Sequence, residues 1–283
     1  MAQTGQLTGT PAGWSATWAS MPERKRVTLL RVALLVAVVS IWEAVAASGL
    51  LFRDVVPSLF TIGRALITTL TWPDYKLTLD LGLGSFEVWI PDFYRHLWVT
   101  IGEVGGALVI GGLAGLVVGL VLGTSPFLAQ AFERFLYYLG PTPKIIFFPV
   151  MIMWFGVGPA SKVAMGVLSC FFPVVLSVAV GVRQIDNVLI RVGRSFRANT
   201  WQMVTKIYLP AMRPAIINGV RLGLGVAVIG TLLAETKLSN RGVGFLVINA
   251  YSTFDMPRMY ALLILLFVVA IGANALVGRA TRA

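Results

Sequence analysis

The chain has 283 residues, of which 57% are hydrophobic and only 12% charged, and its formal net charge is +11. Soluble domains contain about 45–50% apolar and about 25% charged residues, so this composition excludes most soluble folds and favours a protein embedded in lipid. One cysteine, Cys170, excludes a disulfide framework, and one histidine, His96, leaves little for metal or acid–base chemistry. In so apolar a chain, we expect the basic residues to lie at the cytoplasmic face of a membrane rather than on nucleic acid.

The N-terminal residues are rich in Ser, Thr, Gly and Ala and show no helical period. We predict that residues 1–26 form a mobile cytoplasmic tail and that residues 27–283 form one transmembrane domain. Six stretches of this domain are apolar over the roughly 20 residues that a helix needs to cross a bilayer. The predicted spans are residues 28–47, 97–123, 136–155, 163–182, 215–234 and 259–277.

Two segments depart from this simple alternation of spans and turns. The third span contains Pro141, Pro143 and Pro149, which predict a bent or broken helix. The external segment 51–96 is too long for a turn and carries aromatic residues suited to the membrane boundary, so we expect interfacial helices there.

Lysine and arginine indicate the orientation of the spans. With the N-terminus in the cytoplasm, more of these residues fall in the inside segments than in the outside segments, while acidic residues gather in the first outside segment. Because basic residues tend to stay inside, we expect both termini to be cytoplasmic.

Small residues recur every four positions in the second and fifth spans, a spacing that lets another helix approach closely. We interpret both rows as helix-packing surfaces, with a surface that slides during transport as the alternative. The rows are Gly111, Gly115, Gly119 and Gly123, and Gly219, Gly223, Ala227 and Thr231.

The segment 186–210, between the fourth and fifth spans, is predicted to form two short helices. Asp186 or Asn187 can cap the first helix and Asn199 the second. Three apolar residues share one side of the first helix and three arginines a neighbouring sector: Val188, Val192 and Phe196, and Arg191, Arg194 and Arg197. From this pattern alone, the helices could lie on anionic lipid or fit a groove on a soluble partner.

The end of this segment resembles the EAA loop, the cytoplasmic signature of the membrane subunits of ATP-binding-cassette (ABC) importers. That signature reads E-A-A, three residues, G, nine residues and I-x-L-P, and Ile207-Tyr-Leu209-Pro210 matches its end. The signature glycine falls on Arg197 and the E-A-A triplet on residues 191–193, so both depart from the pattern. Arginine lacks the backbone freedom of glycine, which allows the kink to be placed differently.

Three further blocks are similar to the nitrate, sulfonate and taurine branch of these permeases. They are residues 143–149 with Trp154-Phe-Gly-Val-Gly158 and Ser161-Lys162, then Gly219-Val-Arg221-Leu-Gly, then Ala234-Glu235 with Gly242-Val-Gly244. Together with the loop, they extend the resemblance from about residue 54 to the sixth span.

The resemblance implies an all-α membrane protein with six transmembrane helices in the type I, MetI-like ABC importer permease fold. It implies a homodimer, or a pseudodimer with a related permease, in the bacterial inner membrane that forms the translocation pathway for a small anionic, nitrate-, sulfonate- or taurine-like solute by alternating access. The partners would be two cytoplasmic ATPase subunits, which bind ATP and Mg²⁺, and an extracytoplasmic substrate-binding protein. This chain would hold no cofactor and would not be an enzyme; it lacks a G-x-x-x-x-G-K-[ST] phosphate loop.

The resemblance also implies that the segment 186–210 couples to the ATPase. The predicted coupling residues are Val188, Arg191, Val192, Arg194, Phe196, Arg197, Trp201, Leu209 and Pro210. We hypothesise that the extra arginines pair with acidic residues of a matched ATPase.

Three intramembrane charged residues, Glu103, Lys144 and Glu235, are candidates for the pathway or its gate, because a charge in lipid costs at least a few kcal/mol and usually faces protein or water. Lys144 could meet an anionic substrate or pair with Glu103. Glu235 could belong to an outer gate or pair with Lys237 or Arg241. An ion-gradient-driven secondary transporter is the alternative function, for which Glu103 is the only deep acidic candidate.

Overall fold

A computed structural model of the protein describes residues 22–49, 55–80, 85–237 and 239–280, with the side chains of residues 77–88 and 280 left undescribed. The chain divides into two compact units, Met1–Thr61 and Ile62–Ala283. The predicted tail lies outside the described residues, except for its last five positions.

The first unit contains helix α1, Glu23–Ser48, which begins after Pro22 and ends at Gly49 in the left-handed conformation, with φ 66°. The predicted tail is therefore too long, since residues 23–26 are helical. Glu23 lies in the first turn, where a carboxylate complements the helix dipole. None of the residues of α1 is buried, and beyond its charged first turn the helix is mostly apolar and carries charge only at Arg31 and Glu43, which is the composition of a membrane span.

The second unit is mainly helical. In chain order its elements are α2 (Leu59–Thr71, which begins in the first unit), β1 (Tyr75–Asp80), β2 (Ser85–Ile90), α3 (Asp92–Thr124), α4 (Pro126–Leu139), a 3-10 helix (Lys144–Phe147), α5 (Phe148–Phe155), α6 (Pro159–Arg183), α7 (Asn187–Ser195), α8 (Thr200–Met203), a π-helical turn (Val204–Tyr208), α9 (Leu209–Ala211), α10 (Arg213–Glu235), α11 (Val243–Ser252) and α12 (Met256–Ala280).

Among the described residues, five helices are long and apolar enough to cross a membrane: α1, α3, α6, α10 and α12. The segments Pro126–Leu139 and Lys144–Phe155 meet the same criterion as a pair but are bent by 94°, and the number of candidate spans is six when this pair is counted as one broken span. The predicted all-α membrane fold is confirmed, and the third span is broken at its proline-rich part, as expected.

Helix α6 packs between α3 and α10, and the small-residue rows line both contacts. A Cβ built at Gly115 would lie 2.8 Å from the Val174 Cβ, and one built at Gly119 would lie 2.7 Å from the Val178 Cβ. On the other side of α6, a Cβ at Gly223 would lie 2.9 Å from Val174 Cγ2. Contacts repeating every four residues are those of interlocking i±4 ridges, so the packing interpretation is confirmed.

The segment before α3 is only partly helical, which corrects the prediction of interfacial helices. It contains α2, whose Ile62 is buried, followed by an antiparallel hairpin of β1 and β2. Apolar and polar residues alternate throughout β1 and over the first four residues of β2, a period of two that favours a strand over a helix. Asp74 anchors the hairpin, because its carboxylate accepts the Asp92 backbone N–H at 2.8 Å and lies 3.5 Å from Arg258.

Candidate functional site

The segment 186–210 folds as two capped helices, as its sequence predicts. The Asp186 side chain accepts the backbone N–H of Val188 at 2.8 Å and caps α7. Asn199 and Gln202 form a reciprocal capping box at the start of α8, with distances of 2.8 and 3.0 Å. These side-chain caps fix two helices that are too short to be stable alone.

Helix α7 has two chemically distinct faces. One face is apolar and open: Val188 is 52% exposed, Val192 47% and Phe196, at its end, 84%, and Trp201 at the start of α8 is also exposed. The other face carries Arg191 and Arg194 and lines a cavity against the ends of α3 and α6. The structure therefore separates the predicted apolar and basic coupling residues onto different surfaces.

The turn after α7 is formed at Arg197, which has φ 50°. The Arg197 N–H bonds to the Arg194 carbonyl at 2.9 Å, and the Ala198 N–H bonds to the Gly193 carbonyl at 3.1 Å. This is the Schellman pattern, which places a left-handed residue just after the helix. A kink at another position is therefore wrong: arginine takes the conformation in which the signature has glycine.

Replacing Arg197 by valine should loosen this turn, whereas glycine should preserve it. A β-branched side chain in the left-handed region costs about 1–2 kcal/mol or more, while glycine has no Cβ to clash. We expect Arg197→Val to speed hydrogen exchange at the Ala198 amide by about tenfold. Unchanged exchange in Arg197→Val, or equal acceleration in Arg197→Gly, would show that the turn does not depend on this backbone conformation.

A second candidate site is a buried polar cluster where α3, α6 and α10 meet the start of α11. Glu235 is fully buried, and its carboxylate accepts the Thr100 hydroxyl at 2.7 Å and the Gly244 backbone N–H at 2.6 Å. The Thr100 oxygen in turn accepts the Val243 N–H at 2.8 Å. A Cβ at Gly242, which has φ 101°, would overlap the Glu235 carboxyl, so this turn requires glycine.

Glu103 and Lys162 complete the cluster. Glu103 is 4% exposed and Lys162 2% exposed, and Lys162 interacts electrostatically with both Glu103 and Glu235. The Glu103 carboxyl lies beside the Glu235 carboxyl, and its two oxygens have no other hydrogen-bond partner among the described residues. A buried ammonium beside two carboxylates offsets part of their charge in a site that is shielded from solvent.

The structure does not join Lys144 to this cluster. Its ammonium donates to the carbonyls of Gly140 and Thr142 and lies 5.1 Å from the centre of the Phe172 ring. The alternative that Lys144 pairs with Glu103 is therefore wrong, because the break between α4 and the 3-10 helix supplies nearer carbonyl acceptors. The ion pair of Glu235 with Lys237 or Arg241 is also wrong: none forms in the described part of the chain, where the Glu235 oxygens accept from Thr100 and Gly244.

His96 braces the same turn from α3. Its Nδ1 accepts the Gly242 N–H at 2.9 Å, so Nε2 carries the hydrogen and faces the Asp92 carboxylate at 3.1 Å. Its ring stacks on Phe245 at 5.6 Å between centroids. This arrangement is structural, and within the described ranges no three His, Cys, Asp or Glu side chains are grouped as metal ligands.

Thr100 and the proximity of Lys162 to Glu235 are not predicted from the sequence. The sequence does mark some members of the cluster, because Lys162, Glu235, Gly242 and Gly244 all belong to the motif blocks that carry the family resemblance. Nothing in the order of those blocks shows that they converge, since Thr100 and Lys162 precede Glu235 by 135 and 73 positions. Thr100 belongs to no block.

Comparisons with known proteins agree on one family. A family model described as the binding-protein-dependent transport system inner membrane component matches residues 107–283. The putative aliphatic sulfonates transport permease protein SsuC of Bacillus subtilis is 30% identical over 249 residues, which cover 88% of this chain and 84% of the relative. The taurine transport system permease protein TauC of Escherichia coli is 28% identical, with 92% and 91% covered. The nitrate import permease protein NrtB of Synechococcus elongatus is 23% identical, with 84% and 81% covered.

A solved structure shows the same fold. The structure of inward facing conformations of the MetNI methionine ABC transporter, native crystal form, aligns with a TM-score of 0.61 and 20% identity, covering 67% of this chain and 94% of that chain. The ion-gradient-driven alternative is not favoured by these comparisons. The chain belongs to the binding-protein-dependent transport family: it is a multi-pass membrane permease subunit of an ABC importer, whose ATPase and substrate-binding protein are separate polypeptides.

Proposed function

We propose that this permease imports a small anionic solute of the sulfonate class. The observation that carries the proposal is the similarity to SsuC, which extends over 84% of that relative. The relatives named for taurine and nitrate support an anion in the same way. Lys144, at the break of the third span, is the proposed cationic contact for the anion.

The test is uptake by the complete importer in liposomes. The permease, its ATPase and its binding protein should together accumulate a radiolabelled alkanesulfonate. Uptake should be saturable, and it should require ATP on the side of the membrane where the ATPase lies. An uncharged alkyl sulfonamide of the same size is the control and should not be taken up. Equal uptake of both compounds, or of neither while another solute is imported, would contradict the sulfonate assignment and leave the permease family unaffected.

The proposed assembly is a homodimer with both termini and the segment 186–210 in the cytoplasm. The bias of Lys and Arg supports this orientation. An exposed apolar surface supports the homodimer: a groove of about 540 Å³ between α5 and α6 is lined by residues that include Trp154 and Phe155, both exposed. Because lipid covers apolar side chains as well as protein does, the supporting feature is the concave shape of the groove, into which a helix of a second copy could pack closely.

The proposed coupling element is the open apolar face of α7 with the start of α8. Val188, Val192, Phe196 and Trp201 project from a capped, ordered segment that ends at Leu209 and Pro210, which suits insertion into a groove on the ATPase. Large apolar side chains exposed outside the spans are costly in water, so a partner that covers them accounts for their presence.

Replacing Phe196 by aspartate should disrupt ATPase binding without unfolding the permease. Burying an unpaired carboxylate in the partner's groove is costly, and Phe196 makes few contacts within its own chain, being 84% exposed. We expect at least about tenfold less ATPase to co-purify. Gln184→Asp adds the same charge at an exposed position before α7 and should leave co-purification unchanged; a normal ATPase complex with Phe196→Asp would contradict this docking face.

We propose that the Glu235 cluster holds together the helix ends that form the outer gate. It ties α10 to α3 through Thr100 and to the following turn through Gly244, at the ends of the spans opposite to the coupling segment. During alternating access, this contact would keep α3, α10 and the turn at Gly244 together, so that they move as one body when the coupling segment shifts the spans.

A further inference from the structure

A basic cavity separates the coupling helix from the membrane-spanning helices. It has a volume of about 560 Å³ and lies where α3 and α6 end, with α7 as its opposite wall. Its lining combines small and apolar residues with six side chains that carry polar groups: Thr124, Arg183, Asn187, Arg191, Arg194 and Tyr208.

Two of the three arginines in this cavity carry charge without a partner. Arg183 is engaged by Glu133, with a bidentate pair at 3.1 and 2.7 Å. Neither Arg191 nor Arg194 forms an ion pair in the part of the chain that the structure describes, and both side chains are exposed. The cavity therefore holds two uncompensated guanidinium groups, which suit the oxygens of a phosphate group.

The geometry of α7 directs these arginines toward the membrane domain. Asn187, Ile190, Arg191 and Arg194 all line the cavity and recur at helical spacing, so they form one face of α7. Val188, Val192 and Phe196 lie on the open face of the same helix. A partner covering the apolar face meets a different surface from the one that holds Arg191 and Arg194.

The cavity lies at the depth of lipid headgroups. Its roof is the close contact of Gly123 with Val182, at the last turns of two candidate spans that end at Thr124 and Arg183. One turn farther into the bilayer, Val121 and Val180 are exposed and apolar, and they precede Thr124 and Arg183 by three residues on the same sides of the helices. An acyl chain can therefore lie along these valines while its headgroup enters the cavity.

We propose that this cavity binds the phosphate of an anionic phospholipid, such as phosphatidylglycerol, through Arg191 and Arg194. Basic pockets at the ends of membrane helices are the usual sites for such headgroups. The lipid bridges the coupling helix to α3 and α6, so the membrane itself contributes to holding α7 in place. The proposal rests on the permease family and needs neither the identity of the solute nor the docking face proposed above.

The test is lipid retention by the full chain purified with its ATPase in mild detergent. Native mass spectrometry should show phosphatidylglycerol bound to the wild type, and Arg191→Gln/Arg194→Gln should reduce it at least about fivefold. The control, Lys206→Gln/Arg213→Gln, removes two exposed charges near the same segment but outside the cavity and should retain the lipid. Equal retention by all three proteins, or loss of the ATPase from the first variant with its lipid retained, overturns the proposal; the second result would assign these arginines to the ATPase.

A measurement on the wild type covers the case of a poorly folded variant. In nanodiscs, adding phosphatidylglycerol to phosphatidylcholine should raise the melting temperature of the wild type by a few degrees. Inorganic phosphate added to phosphatidylcholine nanodiscs should not reproduce this rise. An equal rise with phosphate would identify a soluble anion, and no rise with either would leave no role for the headgroup; both results overturn the proposal.

Discussion

Replacing Gly119 by leucine should destabilise the permease by at least about 3 kcal/mol and remove most of the folded protein from the membrane. Any Cβ at this position would lie 2.7 Å from the Val178 Cβ and 2.8 Å from the Val175 carbonyl oxygen. The second of these contacts is with backbone, which cannot move aside as a flexible side chain can. Helices α3 and α6 would have to separate along a contact that runs nearly their whole length, and the packing of α10 on α6 would change with it.

Gly112→Leu is the matched control in the same helix. A Cβ at Gly112 has no atom within 4 Å, and the neighbouring Leu113 is exposed. Leucine also has a higher helix propensity than glycine by about 1 kcal/mol, so this variant should be neutral or slightly more stable. Thermal unfolding in detergent, followed by size-exclusion chromatography, distinguishes the two variants; similar losses in both would mean that the row of glycines is not a packing surface.

The spans could be predicted from sequence because lipid imposes a simple requirement on each one. A long run of apolar residues satisfies that requirement by itself, whatever lies next to it, and the rows of small residues mark which faces pack. The start of α1 was misjudged because Arg24, Lys25 and Arg26 look like a polar tail while being good helix formers behind Pro22. The hairpin is harder to predict because the aromatic residues in and around it also suit a helix at the membrane boundary.

The candidate sites were predictable to a different degree. The caps of α7 and α8 are local, so Asp186 and Asn199 could be identified from neighbouring residues. The side on which Arg191 and Arg194 lie depends on where α3 and α6 end, which no local pattern contains. The partners of Glu235 come from α3 and from the turn after α10, and their convergence is set by tertiary packing alone.

Replacing Glu235 by alanine should cost about 3–5 kcal/mol of stability and lower transport per folded molecule at least about tenfold. The change leaves the Gly244 N–H and the Thr100 hydroxyl without their acceptor, and it leaves Lys162 with Glu103 as its only remaining carboxylate in the cluster. It also opens space beside Gly242, against which the Glu235 carboxyl packs in the wild type. The turn should loosen from α3, so the spans at this end would no longer move together.

Glu133→Ala is the control for loss of a carboxylate from an ion pair. Glu133 binds Arg183 with both oxygens, but the Arg183 side chain is 40% exposed, so the pair contributes about 1 kcal/mol or less. The measurements are the thermal unfolding temperature and ATP-dependent uptake normalised to correctly folded protein. If Glu235→Ala were as stable and as active as Glu133→Ala, the buried cluster would have no role in either folding or gating. If stability fell while uptake per folded molecule stayed normal, the cluster would be a structural element and the gate would lie elsewhere along the spans.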